Sequence, residues 1–160
     1  DMRIELDTLA TRQILAECVR KITETGGFTL TPRGVGRLLK SIYLNKDAAA
    51  LYVDELFHGI DMGGFAVSVH DGDFIVSGVC DDDADVEKFI TENLWDTVRL
   101  IYENYAPCHV GAWLSDGLIY IDPIVVLDDF TEATELAEAN DQIAIYDFRK
   151  AESVYREEWA

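Results

Sequence analysis

The chain has 160 residues, of which 49% are apolar and 28% are charged, and its 31 acids and 13 bases give a formal net charge of -18 at pH 7. This length suits a single domain whose core is large enough to fold without a metal or a disulfide. Seventeen aromatic residues exclude a chain that stays disordered because of its charge. No long apolar run and no basic segment leading into an apolar one is present, so we expect a cytoplasmic protein with no membrane contact.

The charge is distributed unevenly along the chain. Residues 1–60 contain eight bases and eight acids, whereas residues 61–160 contain five bases and 23 acids. The whole acidic excess therefore lies in the last hundred residues. Within the neutral part, one segment carries Arg33, Arg37 and Lys40 and no acid. The sequence predicts a locally basic segment beside a strongly acidic body.

The first 60 residues predict helices around one short strand. Apolar residues at helical spacing predict a helix at 8–25, and the two glycines after it are typical of a helix C-terminus. The stretch 28–30 predicts a strand that ends before a proline. The three bases of the basic segment then share one face of the next predicted helix. A further helix is predicted from near Asp47 to Gly59.

After residue 64 the pattern changes to the alternation of β-strands. Segments 65–69 and 74–77 flank an Asp-Gly step, which predicts a β-hairpin. Segments 109–114 and 118–127 flank a second Asp-Gly step and predict a second hairpin. Because each hairpin pairs its strands antiparallel, the sequence predicts an antiparallel sheet.

Helices separate and follow these predicted hairpins. The aspartates at 81–85 can cap the free N–H groups of a long helix and complement its dipole. Asp129 and Glu132 form a variant capping box in front of another helix. Residues 142–148 predict a last strand, and the polar tail at 151–159 predicts a short helix. We therefore expect one α+β domain over the whole chain, with a sheet of five or six strands and the helices packed on one face.

Five short segments resemble small acidic uncharacterised proteins of actinobacteria, their phages and their plasmids. These segments are GGFTL at 26–30, GFAVS at 64–68, GAW at 111–113, IYID at 119–122 and NDQIAIYD at 140–147. The resemblance implies a cytoplasmic protein in a mobile-element context and supplies no catalytic residue. Segment 32–62 departs from the pattern and is a candidate helical insertion.

A metal site could be drawn from Cys80, Cys108 and His109, because each lies at an end of a predicted hairpin strand. Their spacing fits no compact zinc motif, in which ligands are usually two to four residues apart. The odd, widely spaced set of three cysteines also argues against a disulfide framework. We predict no metal site, and whether these three residues converge stays open.

The sequence also offers little support for a catalytic site. No histidine lies beside a nucleophile motif. A carboxylate pair could be drawn from residues 81–85 with Asp122 or Asp128, but so many acids bring some together by chance, and helix capping explains the densest run. The same run lacks the glycine and closing glutamate of a calcium loop. The glycines near residue 35 lack the context of a dinucleotide site. We predict no catalytic residue and no cofactor.

The charge itself is the strongest indication of function. Because DNA carries one charge per about 1.7 Å, 18 charges correspond to roughly 31 Å of duplex, which is comparable to the diameter of about 40 Å of a domain this size. We therefore predict a non-enzymatic acidic interaction protein, as a phage or mobile-element accessory that binds or inhibits a basic nucleic-acid-handling host protein. The predicted acidic contacts are Asp81, Asp82, Asp83, Asp85, Asp128 and Asp129.

Other interpretations remain open at this level. The basic stripe of Arg33, Arg37 and Lys40 could contact the acidic body of a second copy, which predicts a salt-sensitive homodimer. Direct nucleic-acid binding is not expected, because the net charge repels it. The alternatives are a metal-independent or carboxylate-based hydrolase, a self-assembling module, a small-molecule-binding module, or acidity that serves solubility alone.

Overall fold

The structure is a computed structural model that describes residues 9–43 and 53–160, with backbone alone at 9–11, 37, 38, 40–43, 53 and 54. The helices are α1 (Leu9–Thr25), α2 (Pro32–Tyr43), α3 (Val53–Leu56), α4 (Asp83–Tyr105) and α5 (Phe130–Ala139). The strands are β1 (Gly27–Leu30), β2 (Phe65–Ser68), β3 (Ile75–Val76), β4 (His109–Ser115), β5 (Leu118–Leu127), β6 (Ala144–Asp147) and β7 (Glu152–Tyr155). The predicted start of a helix near Asp47 lies outside the described residues.

The strands form one antiparallel sheet in the order β1-β4-β5-β2-β6-β7, and β3 also pairs with β5. The α+β fold with helices on one sheet face is therefore confirmed, with seven strands where five or six were predicted. The predicted β4–β5 hairpin is confirmed as well. Its two turn residues, Asp116 and Gly117, have φ angles of 51° and 78°, the left-handed backbone that an Asp-Gly hairpin turn requires.

The other predicted hairpin, between segments 65–69 and 74–77, is wrong. β2 and β3 do not pair with each other; both pair with β5, one after the other along the same edge. The N–H of Val69 donates to the carbonyl of Pro123, and the N–H of Ser77 donates to that of Ile119. The Asp-Gly step thus lies in a loop that interrupts one long strand. Because β5 is ten residues long, it offers both segments a partner, and this long-range pairing overrides the local turn signal.

The main hydrophobic core lies between the sheet and helices α1 and α4. It contains Cys18 and Ile22 of α1, Ile90 of α4, and Val110 and Ile121 of the central strands, each at most 1% exposed. A second cluster lies under α5 and is formed by Val67, Ala133, Ala137 and Ile145. The buried side chains of α2 and α3 belong to the main cluster, in which they are Val35, Leu39 and Leu56. These helices therefore pack on the face of the sheet that also carries α5.

The opposite face of the sheet is covered only in part. The N–H of His58 donates to Thr29 at the β1 edge, and the chain then runs to β2. This connection helps to cover a small cluster of Ala66, Ile124 and Phe148. Farther along the strands, Trp113 and Tyr120 stack in register on this face with ring centroids 5.6 Å apart.

The C-terminal tail is a strand and not the predicted helix. β7 pairs with β6 in register, with Val154 opposite Ile145, and only residues 156–158 form a short 3-10 turn. The chain reverses after β6 because Oδ1 of Asp147 accepts the N–H groups of Arg149 and Lys150. Val154 and Trp159 then pack against the cluster under α5. Burial of these two side chains outweighs the helical preference of the surrounding polar residues.

Candidate functional site

Most of the acidic excess lies on the surface. Of the 23 acids in residues 61–160, twenty are exposed, Asp85 is half-buried, and Asp122 and Asp147 are buried. Within the described part of this region, the only ion pair joins Arg156 to Asp141 at 3.6 Å. Apart from those that cap helices or turns, such as Asp82 and Asp129, most of the exposed carboxylates have no described partner within the chain.

The helix α5 carries three acids and no base. Its outward residues Glu132, Glu135 and Glu138 are spaced by three, which places them on one face of the helix, while Ala133 and Ala137 on the other face are fully buried. No lysine or arginine occurs between residues 100 and 148. We call the exposed set at this helix the α5 acidic surface, and its members are Asp128, Asp129, Glu132, Glu135 and Glu138.

The aspartates at the start of α4 are partly used as caps. Oδ1 of Asp82 accepts the N–H of Asp85 at 2.9 Å, and Oδ2 of Asp85 accepts the N–H of Asp81 at 2.8 Å. These bonds satisfy N–H groups that a helix start leaves without a partner. Asp81 and Asp83 are exposed. The run thus combines a structural cap with two outward carboxylates.

The structure does not bring the two predicted acidic groups together. Asp81 follows Cys80, whose N–H donates to Gly117 at one end of β5. Asp128 and Asp129 follow the other end of that ten-residue strand, about 30 Å away at the usual rise of a strand. Asp129 caps α5, because its Oδ1 accepts the N–H of Glu132 at 3.0 Å. A single partner would have to span the sheet to contact both groups.

The basic stripe lies on α2. Arg33 is exposed and lines a cavity of about 310 Å³ between α2 and the end of α4, together with Tyr102 and Cys108. The side chains of Arg37 and Lys40 lie outside the described part of the structure. The homodimer that this stripe predicts therefore stays a prediction.

Cys80, Cys108 and His109 do not converge. Cys80 lies beside the β4–β5 turn, whereas Cys108 and His109 lie at the opposite end of β4, about 20 Å away at the rise of a strand. The ring of His109 instead lies 5.4 Å from that of His58. Burial, with a smaller contribution from His58, lowers the pKa of His109 to about 4.

The remaining candidates for chemistry are two thiols and the side chains that could bind a metal ion. Burial raises the pKa of Cys18 and of Cys108 above the ordinary thiol value, so neither is an activated nucleophile. Within residues 9–43 and 53–160, no three His, Cys, Asp or Glu side chains come close enough together to hold a metal ion.

Asp122 is the acid with the most unusual surroundings. It is 2% exposed, and its Oδ1 accepts the N–H of Phe74 at 3.1 Å. Burial raises its pKa to about 7; the hydrogen bond from Phe74 opposes that shift and the nearby Asp73 adds to it. The carboxylate pair that was considered and set aside in the sequence is not formed, because Asp122 lies five residues along β5 from Gly117 and six from Asp128, which corresponds to about 16 and 20 Å.

A second cavity contains residues that the sequence did not single out. It has a volume of about 490 Å³ and lies between the start of α5, the strands β2, β6 and β7, and the C-terminal turn. We call it the α5–β7 cavity, and its lining residues are Phe65, Phe130, Asp147, Lys150, Glu152, Ser153, Val154 and Glu158. Because the sequence predicted a helix at 151–159, it gave no sign of this cavity.

Comparisons with protein-family models, with curated proteins and with solved structures find no match. Among the helices of the described ranges, none is long and apolar enough to cross a membrane. Function is therefore inferred from charge, burial and the shape of the surface.

Proposed function

We propose that the protein is a non-enzymatic acidic interaction protein that binds a basic protein partner through the α5 acidic surface. The observation that carries the proposal is the exposure of twenty of the 23 acids in residues 61–160, with one ion pair described among them. Carboxylates without internal partners produce a field that steers a basic partner into contact. A surface built only for solubility would be expected to intersperse both signs of charge.

The partner that fits this surface best is a protein that handles nucleic acid. Such a protein has a basic groove adapted to a row of phosphates. The outward glutamates of α5 repeat every three residues, or about 4.5 Å at the rise of a helix, and present a row of negative charges. In this proposal the chain acts as an accessory protein of a phage or mobile element, which occupies the groove and inhibits its owner.

The experiment compares the parent with two variants of equal charge. One variant carries Glu132→Gln, Glu135→Gln and Glu138→Gln on the α5 acidic surface. The matched control carries the changes Asp61→Asn, Asp96→Asn and Asp116→Asn, whose carboxylates are exposed and have no described hydrogen bond or ion pair. Each protein is immobilised, exposed to lysate of the source organism, and eluted with rising salt.

We expect the parent and the control to retain a basic protein that salt releases, because exposed ion pairs are screened over about 10 Å at 0.1 M salt. The α5 variant should retain far less of it. The purified partner should lose duplex-DNA binding when the parent is added. Equal retention by both variants, retention that salt does not affect, or a partner whose DNA binding is unchanged would contradict the proposal.

A further inference from the structure

The α5–β7 cavity has a lining that is unusual even in this acidic chain. Its charged side chains are Asp147, Glu152 and Glu158 against Lys150 alone, so the cavity carries two net negative charges. No described ion pair joins Lys150 to any of these carboxylates. Electrostatically, the cavity favours a cation.

Asp147 gives the cavity a fixed negative group. The residue is 9% exposed, and its Oδ1 is held by the N–H groups of Arg149 and Lys150 at 3.0 and 3.2 Å. No described residue donates a hydrogen bond to its second oxygen, Oδ2. That oxygen can accept a hydrogen bond from a ligand.

Apart from Ser153, the remaining walls are apolar. Phe65 and Phe130 meet edge to face with ring centroids 5.5 Å apart, and Val154 adds an aliphatic surface. Aromatic faces attract cations, and apolar walls accommodate an alkyl stem. A ligand with an aliphatic chain and a charged, hydrogen-bonding end matches both parts of the lining.

We propose that the α5–β7 cavity binds an arginine or lysine side chain carried by the basic partner, so this inference rests on the proposed function. The volume of about 490 Å³ lies within the range of roughly 300–1,000 Å³ of ligand pockets, and holds one such residue with its adjoining backbone. A peptide is favoured over a free cation because β7, which lines the cavity, is the last described strand of the sheet. Its outer edge can pair with a partner segment.

The experiment uses a built-in reporter. The indole N–H of Trp159 donates to the carbonyl of Val154 at 2.9 Å, and Val154 lines the cavity. Trp95 is buried in the main core and Trp113 lies on the opposite face of the sheet. In a ¹H–¹⁵N spectrum, the three indole signals therefore report on three separate places in the fold.

The probe is the capped tripeptide acetyl-Gly-Arg-Gly-amide, titrated into the full chain. We expect a saturable shift of the Trp159 indole signal, with the Trp95 and Trp113 signals unchanged. The same peptide with citrulline in place of arginine is isosteric but neutral and should produce no shift. A citrulline peptide that binds equally well, or a Trp159 signal that does not move, overturns the proposal. Free agmatine that binds as tightly as the peptide overturns the choice of a peptide-borne cation.

The variants separate this site from the general acidity. Asp147→Asn with Glu152→Gln should weaken the binding of the arginine peptide by about tenfold or more, which corresponds to about 1.4 kcal/mol. The matched control combines Asp96→Asn with Asp116→Asn, which are equal in charge and distant in sequence from the cavity. This control should weaken the binding of the arginine peptide by less than about threefold. Equal losses of affinity in the two double variants would overturn the proposal that the peptide binds in the cavity. Glu152→Gln alone, at an exposed position, repeats the test if the change at Asp147 disturbs the fold.

The outcomes also distinguish the two proposals. If capture of a basic partner depends on α5 and the arginine peptide does not shift the Trp159 signal, the cavity proposal is overturned and the proposed acidic interaction stands. A peptide that binds at the cavity of a chain that retains no basic partner would overturn the proposed function instead.

Discussion

Buried Asp122 and half-buried His109 should give this protein opposed and separable pH dependences of stability. The pKa of Asp122 is raised to about 7 and that of His109 is lowered to about 4, against ordinary values of about 3.9 and 6.5. As pH rises from about 4 to 7, the unfolded chain loses the Asp122 proton while the folded chain keeps it, so folding stability falls. As pH drops from about 6.5 to 4, the unfolded chain protonates at His109 first, so stability falls in that direction.

The magnitudes follow from the size of each shift. The raised pKa of Asp122 corresponds to about 4 kcal/mol of unfolding free energy lost by pH 8, and the lowered pKa of half-buried His109 to at most about 3 kcal/mol lost by pH 4. Between pH 4 and 6.5 the two slopes are nearly equal and opposite. The contribution of this pair to the parent's stability should therefore be almost flat there, which conceals both groups until one is removed.

The perturbation is Asp122→Asn, in which the amide oxygen can still accept the N–H of Phe74. Urea unfolding, followed at fixed ionic strength from pH 4.5 to 8.5, gives the free energy of parent and variant. Their difference should grow by about 3 kcal/mol in favour of the variant as pH rises from 4.5 to 8.5. His109→Gln should show the reverse: the unfolding free energy of this variant should rise relative to that of the parent as pH falls. Variant and parent curves that run parallel across this range would refute the burial argument, since a packing change alone adds an offset independent of pH.

Three further predictions test the packing. Gly34→Ala should lower the unfolding free energy by about 1–3 kcal/mol, measured by urea unfolding, because its Cβ would lie 2.6 Å from the Cα of Leu56. Trp95→Phe should lower the same free energy by about 1–3 kcal/mol through the cavity it leaves, with no added loss of a hydrogen bond, since the buried indole N–H has no partner among the described residues; a loss above about 4 kcal/mol would contradict this. In mass-spectrometric labelling with iodoacetamide, half-buried Cys80 should react well before the fully buried Cys18, and equal rates would contradict that burial.

The elements that the sequence predicted correctly are those with local physical causes. The long helix α4 is marked by its aspartate cap and its apolar stripe, and the β4–β5 hairpin by an Asp-Gly turn of two residues. In each case the residues that determine the element are near one another in the chain. Local patterns suffice for such elements.

The two wrong predictions depend on distant partners. The Asp-Gly step at Gly72 resembles a hairpin turn, but the strands beside it have a stronger partner in β5, about 50 residues later in the chain. The tail around Val154 resembles a polar helix, but it becomes a strand because Ile145 and Trp159 provide an apolar surface to cover. The α5–β7 cavity exists only once that tail is a strand, which is why no residue of its lining was predicted as a site.

The two buried carboxylates show how one fold separates structural acids from those that can meet a ligand. Asp122 accepts one backbone N–H from Phe74, has its pKa raised to about 7 by burial, and is almost sealed from solvent. Asp147 accepts two backbone N–H groups and lines a cavity. A cationic side chain that reaches Asp147 therefore meets a carboxylate already positioned for it, whereas one at Asp122 would first have to open the loop that holds Phe74. This difference favours the α5 and β7 side of the sheet for the proposed contact with a basic partner.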